Sequence, residues 1–149
     1  MPYPFSKDSK AKLDTAHPVL QQLFRHVSEI YNCKIIEGHR GEEAQNRYFE
    51  QGVSKVKFPD GKHNKEPSEA IDSGPYPIKW VDDAFLDQLT AGEREQVQRL
   101  CRWYHYCGVV KGVASELGIP IRQGCDWNGN DVFTDQKFHD LPHTELKEE

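Results

Sequence analysis

The sequence predicts an α+β fold, and three observations lead there. Apolar residues recur at helical spacing in separate stretches, and the β-branched stretches between them are short. The two kinds alternate irregularly, without the repeating strand–helix rhythm of a doubly wound parallel sheet. A chain of 149 residues suffices for one domain and can bury roughly 68–70% of its unfolded surface.

Taken in order, residues 1–15 read as an N-terminal arm and residues 16–149 as a single domain. Pro18 follows His17 as a first-turn proline, and Val19, Leu20, Leu23, Phe24, Val27 and Ile30 predict a helix over 18–31. Residues 33–37 (CKIIE) predict a buried strand ended by Gly38. Ala44, Tyr48 and Phe49 mark a helix over 41–51, closed by Gly52. Several lysines, Pro59, an Asp-Gly turn and Pro67 make 53–68 a loop. A short strand follows at 69–73 (EAIDS), then the turn GPYP. Thr90 and Glu93 resemble a capping box, although Gly92 weakens the first turn. The helix behind it runs to 117 with Val97, Leu100, Cys101, Tyr104, Val109, Val113 and Leu117 on its periodic face, and Gly118 and Pro120 stop it. A strand at 120–125, a polar loop and a strand at 142–146 complete the chain.

Hydrophobic residues make up 36% of the chain and mean hydropathy is -0.80, so the core is modest. A net charge of -5 excludes broad nucleic-acid binding, which needs clustered Lys and Arg to displace counterions. No apolar run is long enough for a membrane helix. The opening MPYPFSKDSKAKLD lacks the charged-then-apolar pattern of a secretion signal. Cys33, Cys101, Cys107 and Cys125 form no CxxC pair and read as reduced, mostly buried thiols.

Of the seven histidines, His17, His26 and His105 fall on predicted helices and need no special role. His63 and Asp72 bracket HNKEPSEAID, a loop histidine leading into a strand that presents an aspartate. His143 sits in FHDLPHTEL, just past a turn at Pro142. Two histidines and a carboxylate would give a catalytic zinc three ligands and leave one position open. The spacing matches none of the helical zinc motifs such as HExxH, so on residues alone the trio is one option among several. Asp126, Asn128 and Asn130, with Asp135 beyond, set oxygens at alternate positions like the first half of a calcium loop. Asp131 and Lys137 stand where such a loop has its glycine and glutamate, and a plain polar turn is the other reading.

Four motifs carry a resemblance to a known family. KHNKEPSEAIDSGPYP is similar to a Ser/Lys-His segment ending in Ala-x-Asp, and DLPHTEL sets Asp140 three residues before His143. EGHRGEEAQNRYF has a glycine–arginine corner followed by a glutamine, and GVSK at 52–55 precedes the first histidine. In this order, over residues 16–146, they resemble the VanY-type zinc D,D-carboxypeptidase and L-alanyl-D-glutamate endopeptidase family, above all its phage-encoded branch.

The resemblance implies a small antiparallel sheet flanked by helices, with a zinc site in a groove across the sheet. It implies zinc on His63, Asp72 and His143, with Asp140 as the base that moves the proton of the attacking water. Arg40 would bind a substrate carboxylate through its planar fork, and Gln45 and Ser54 would orient the substrate. The implied partner is the peptide stem of bacterial peptidoglycan, cut between L-alanine and D-glutamate by a monomeric phage lysin. Such a lysin, made in the cytoplasm, would reach the wall through a separate pore-forming protein. Gly61 and Gly41 replace residues that are commonly serine, and Thr144 replaces an aromatic, which bears on substrate fit. A D,D-carboxypeptidase with the same metal centre is one alternative. A non-catalytic, zinc-stabilised wall-binding or virion domain is another, and the presence of Asp140 speaks against it.

Overall fold

The computed structural model describes residues 2–147, organised as two compact units, Met1–Trp80 and Val81–Glu149. In the first unit, α1 (Lys7–Leu13) starts where the Ser6 hydroxyl accepts a hydrogen bond from the Ser9 amide. Leu13, Phe5 and Ile35 form the buried core, with Phe24, Cys33 and Ile71 packed against it. The buried Ser9 hydroxyl accepts from the Ile35 amide at 3.2 Å, tying α1 to the strand that follows. The segment expected as an arm therefore carries a packed helix. Its apolar anchors, Phe5 and Leu13, are too few to show a helical period in the sequence.

Helix α2 (Pro18–Ile30) and strand β1 (Cys33–Glu37) lie where the sequence puts them, and α3 (Glu42–Glu50) is slightly shorter than expected. The His17 ring caps α2 by accepting from the Val19 amide at 3.2 Å. Strand β2 (Asp72–Pro75) begins three residues later than predicted. The cause lies at Ser68, whose hydroxyl donates to the Ala70 carbonyl and accepts from the Ala70 amide. That local loop takes the backbone before Asp72 out of the ladder. Strands β1 and β2 pair antiparallel, Cys33 with Pro75 through Ile35 with Ser73. A bulge after Ile35 then sets Glu37 opposite Asp72.

The second unit opens with α4 (Asp83–Gln88), which the sequence reading passed over, capped by the Asp82 side chain accepting from the Ala84 amide. Helix α5 (Ala91–Glu116) starts with the expected capping box, and Gly118 takes φ 68° just past its end. Strands β3 (Ile121–Gln123) and β4 (Thr144–Leu146) pair antiparallel. Among the described residues the architecture is thus α+β with two two-stranded antiparallel sheets, where one sheet was expected.

On α5 the buried residues are Cys107 and Ala114, whereas Leu100, Val109, Val113 and Leu117 of the predicted face are exposed. Polar contacts fix this rotation. The buried Gln123 amide donates to the Cys107 carbonyl at 3.1 Å, and the Cys107 thiol donates to the Leu141 carbonyl. All four cysteines are unpaired: Cys107 and Cys125 are buried, Cys33 is half-buried and Cys101 is exposed. Burial, then the neighbouring Cys107, pushes the Cys125 thiol up to about 12. Among the described residues, no helix is long and apolar enough to cross a membrane.

Candidate metal centre

In the first unit, Glu37, His63 and Asp72 bring one ligand atom each within 4.8 Å of one another. The β-bulge supplies Glu37 and Asp72 from facing strands. His63 arrives on a 3-10 turn, Lys62–Asn64, which the buried Asn64 holds down. The Asn64 amide donates to the Arg40 carbonyl at 2.8 Å and to Gln45 Oε1 at 3.2 Å, while its oxygen accepts from the Gly61 amide. The Arg40 amide closes the corner by donating to the His63 carbonyl at 2.8 Å.

His63 Nδ1 lies 2.7 Å from the Gly38 carbonyl. A carbonyl only accepts, so Nδ1 donates to it and Nε2 is the ring nitrogen turned away from the main chain. Nε2 lies 3.3 Å from Asp72 Oδ1, so an imidazole and a carboxylate bring one atom each to the same point. This group of donors could hold a metal ion. Gly38 itself has no room for a side chain, since a Cβ there would stand 2.3 Å from the Lys12 carbonyl oxygen.

Arg40 lies beside this cluster with its side chain 10% exposed. Its Nε donates to Glu37 Oε2 at 2.9 Å, Nη2 bonds the same oxygen, and Nη2 reaches Asp72 Oδ2 at 3.4 Å. Nη1 donates to Gln45 Oε1 at 3.1 Å, and the guanidinium lies over the Tyr48 ring. Burial works against its charge, but Glu37, then Asp72, outweighs burial and raises the Arg40 pKa. Gln45 is fully buried: its oxygen accepts from Arg40 and Asn64, and its nitrogen donates to Ser54 Oγ and the Val56 carbonyl. Gln45 and Ser54 are therefore joined to each other, and through Gln45 to Arg40.

In the second unit, Asp140 and His143 flank a tight turn in which the His143 amide donates to the Asp140 carbonyl at 3.0 Å. Gly124 holds the turn from behind. Its amide donates to the His143 carbonyl and its carbonyl accepts from the Asp140 amide, while a Cβ would stand 2.1 Å from the Asp140 oxygen. His143 Nε2 lies 2.9 Å from Glu145 Oε2, its Nδ1 lies 3.9 Å from Asp140 Oδ2, and its ring packs against Trp127. Hydrogen bonds from His143 and then Arg122 hold the Glu145 carboxyl below the usual range.

Asp126, Asn128, Asn130 and Asp135 come together in one loop. Asp126 accepts from the Asn130 and Asp131 amides, and the Asn128 and Asn130 side chains donate to Asp135 Oδ2 at 3.0 and 2.8 Å. These two bonds hold Asp135 below the usual carboxylate range. Amide nitrogens, not oxygens, face Asp135, so a cation here would need both amides to turn.

Glu37, Asn64 and Glu145 were missed from the sequence. Glu145 had a signal, because alternate residues on a strand share a face and it stands two places after His143. Glu37 had none, because its position opposite Asp72 depends on the bulge.

The sequence model of the family described as "Phage L-alanyl-D-glutamate peptidase" matches residues 1–147. The chain is also similar to a curated protein, the L-alanyl-D-glutamate peptidase of Escherichia phage T5. The two are 31% identical over 157 residues, covering 98% of this chain and 99% of that protein. No solved structure matches the chain.

Proposed function

Because the chain belongs to the phage L-alanyl-D-glutamate peptidase family, we propose that it is a monomeric zinc peptidase of the bacterial wall. Its bond would be the one between L-alanine and D-glutamate in the peptidoglycan stem, and its role that of a phage lysin. The observation that carries the metal reading is the pinned pair His63–Asp72, with Nε2 and Oδ1 turned to a common point. His63, Asp72 and His143 are the proposed ligands, and the facing of Glu37 and Asp72 across β1–β2 supports a groove over that sheet. When bound, zinc supplies Lewis-acid polarisation of the scissile carbonyl and acidifies a water.

The chain's own residues do the rest. Asp140 takes the proton of the attacking water as the new C–O bond forms, then passes it to the leaving amine as the C–N bond breaks. Glu145 fixes the His143 ring through Nε2, leaving Nδ1 for the metal. Arg40 is the proposed anchor for a substrate carboxylate, through the second hydrogen of Nη1, with Gln45 and Ser54 acting behind it. Calcium on Asp126, Asn128, Asn130 and Asp135 is a further part of the proposal; their gathering in one loop supports it, and binding would turn the Asn128 and Asn130 amides from their bonds to Asp135. Added calcium is expected to raise the melting temperature of the zinc-loaded protein, and an unchanged melt removes it.

The central test is the release of new termini from purified peptidoglycan. Wild type with zinc is expected to expose L-alanine carboxyl ends. Asp140→Ala is expected to lose at least about 100-fold in rate while keeping its zinc, and chelation to abolish cleavage. Release of free D-alanine would point instead to a D,D-carboxypeptidase. Stoichiometric zinc without any cleavage would point to a non-catalytic wall-binding or virion domain.

A further inference from the structure

Glu37 stands in the metal cluster but is tied to something else. It faces Asp72 directly across the β1–β2 register, and two carboxylates so placed repel. Arg40 lies between them and bonds both. We propose that Glu37 is a positioning residue, which holds the Arg40 guanidinium against Asp72, and is not itself a metal ligand. The proposal rests on the metallopeptidase reading above and deepens it.

The two carboxylates are used differently. One oxygen of Glu37 takes both Nε and Nη2 of Arg40, a grip that fixes the plane of the guanidinium. Asp72 gives Arg40 only one long bond through Oδ2 and turns Oδ1 to His63. To serve as a ligand with that oxygen, Glu37 would have to release a guanidinium that is 10% exposed, leaving a buried cation short of its partner. Asp72, half exposed, can serve a cation through Oδ1 without disturbing Arg40.

The clamp also explains the rest of the corner. Gln45 takes Nη1 while Glu37 takes Nε and Nη2, so the guanidinium is held from two sides, and Asn64 holds the Arg40 main chain through its carbonyl. Its direction then sets two things: the plane of the Asp72 carboxylate, and the one Nη1 hydrogen left for a substrate. Glu37 controls both without touching either reactant.

The experiment uses the full chain with Glu37→Gln, Glu37→Asp, Arg40→Ala and the Glu37→Gln/Arg40→Ala pair. Three quantities are read: zinc per chain after dialysis, kcat and KM on a soluble stem peptide, and exchange of the Arg40 Nε proton by NMR in zinc-free protein. Glu37→Gln is expected to keep its zinc, to raise KM about tenfold and to speed Nε exchange. It is expected to add nothing once Arg40 is alanine. Glu37→Asp keeps the charge and is expected to recover part of the KM, and it serves in full if the glutamine variant does not fold. Loss of zinc with Nε still protected would make Glu37 a ligand and overturn the proposal, as would additive effects in the pair. If wild type cleaves no stem peptide the peptidase reading fails, while the NMR and zinc readings still judge the clamp.

Discussion

At the scale of single residues, His63 and Asp72 were legible because they belong to one continuous stretch of sequence. Asn64, next to His63, was not, because its partners Arg40 and Gln45 lie on a different segment. Yet Asn64 is buried and its side chain makes three hydrogen bonds that fold the histidine turn onto the Arg40 corner. Asn64→Ala leaves the Gly61 amide and the Arg40 carbonyl without their partner. We expect a loss of about 1–3 kcal/mol in denaturant unfolding, since each orphaned buried group costs its desolvation. An unchanged midpoint would mean that the turn is held by its backbone bonds alone. Gln45 carries the same limit, since its position in the sequence does not disclose the four bonds that join it to Arg40, Asn64, Ser54 and Val56.

At the scale of elements, β1 and α2 could be read directly, because continuous apolar or periodic residues mark both. Strand β2 could not be placed by its apolar content, since Ser68 bonds its own neighbourhood and delays the ladder to Asp72. Helix α5 was legible at both ends and illegible in rotation. Its start rests on Thr90 and Glu93: the Thr90 hydroxyl accepts from the Glu93 amide, and the Glu93 carboxylate accepts from the Thr90 amide and hydroxyl. Thr90→Ala is expected to cost about 1 kcal/mol in a neutral-pH thermal or urea melt. The backbone and hydroxyl bonds from Thr90 hold the Glu93 carboxyl below its ordinary value. A carboxyl depressed in the folded state stabilises above its unfolded pKa and stops doing so as pH falls through the folded one. The gap between wild type and Thr90→Ala should therefore narrow in acid; a constant gap would show that the carboxylate takes no part.

At the scale of the whole molecule, the class was readable and the number of sheets was not. Strands of three to five residues carry too little alternation to say which pairs with which, and the two pairings are set by a bulge and by the turn between Gly124 and Thr144. Gly38 and Gly124 add something that only the folded chain reveals. Each lies against a main-chain oxygen, one behind His63 and the other behind Asp140, with space for a hydrogen and nothing more. In a saturation-mutagenesis map these two positions would be as intolerant as the proposed ligands, although neither does chemistry. Variation at Gly38 and at Gly124 is thus confined by main-chain atoms that no surface repacking can move aside, each within its own unit.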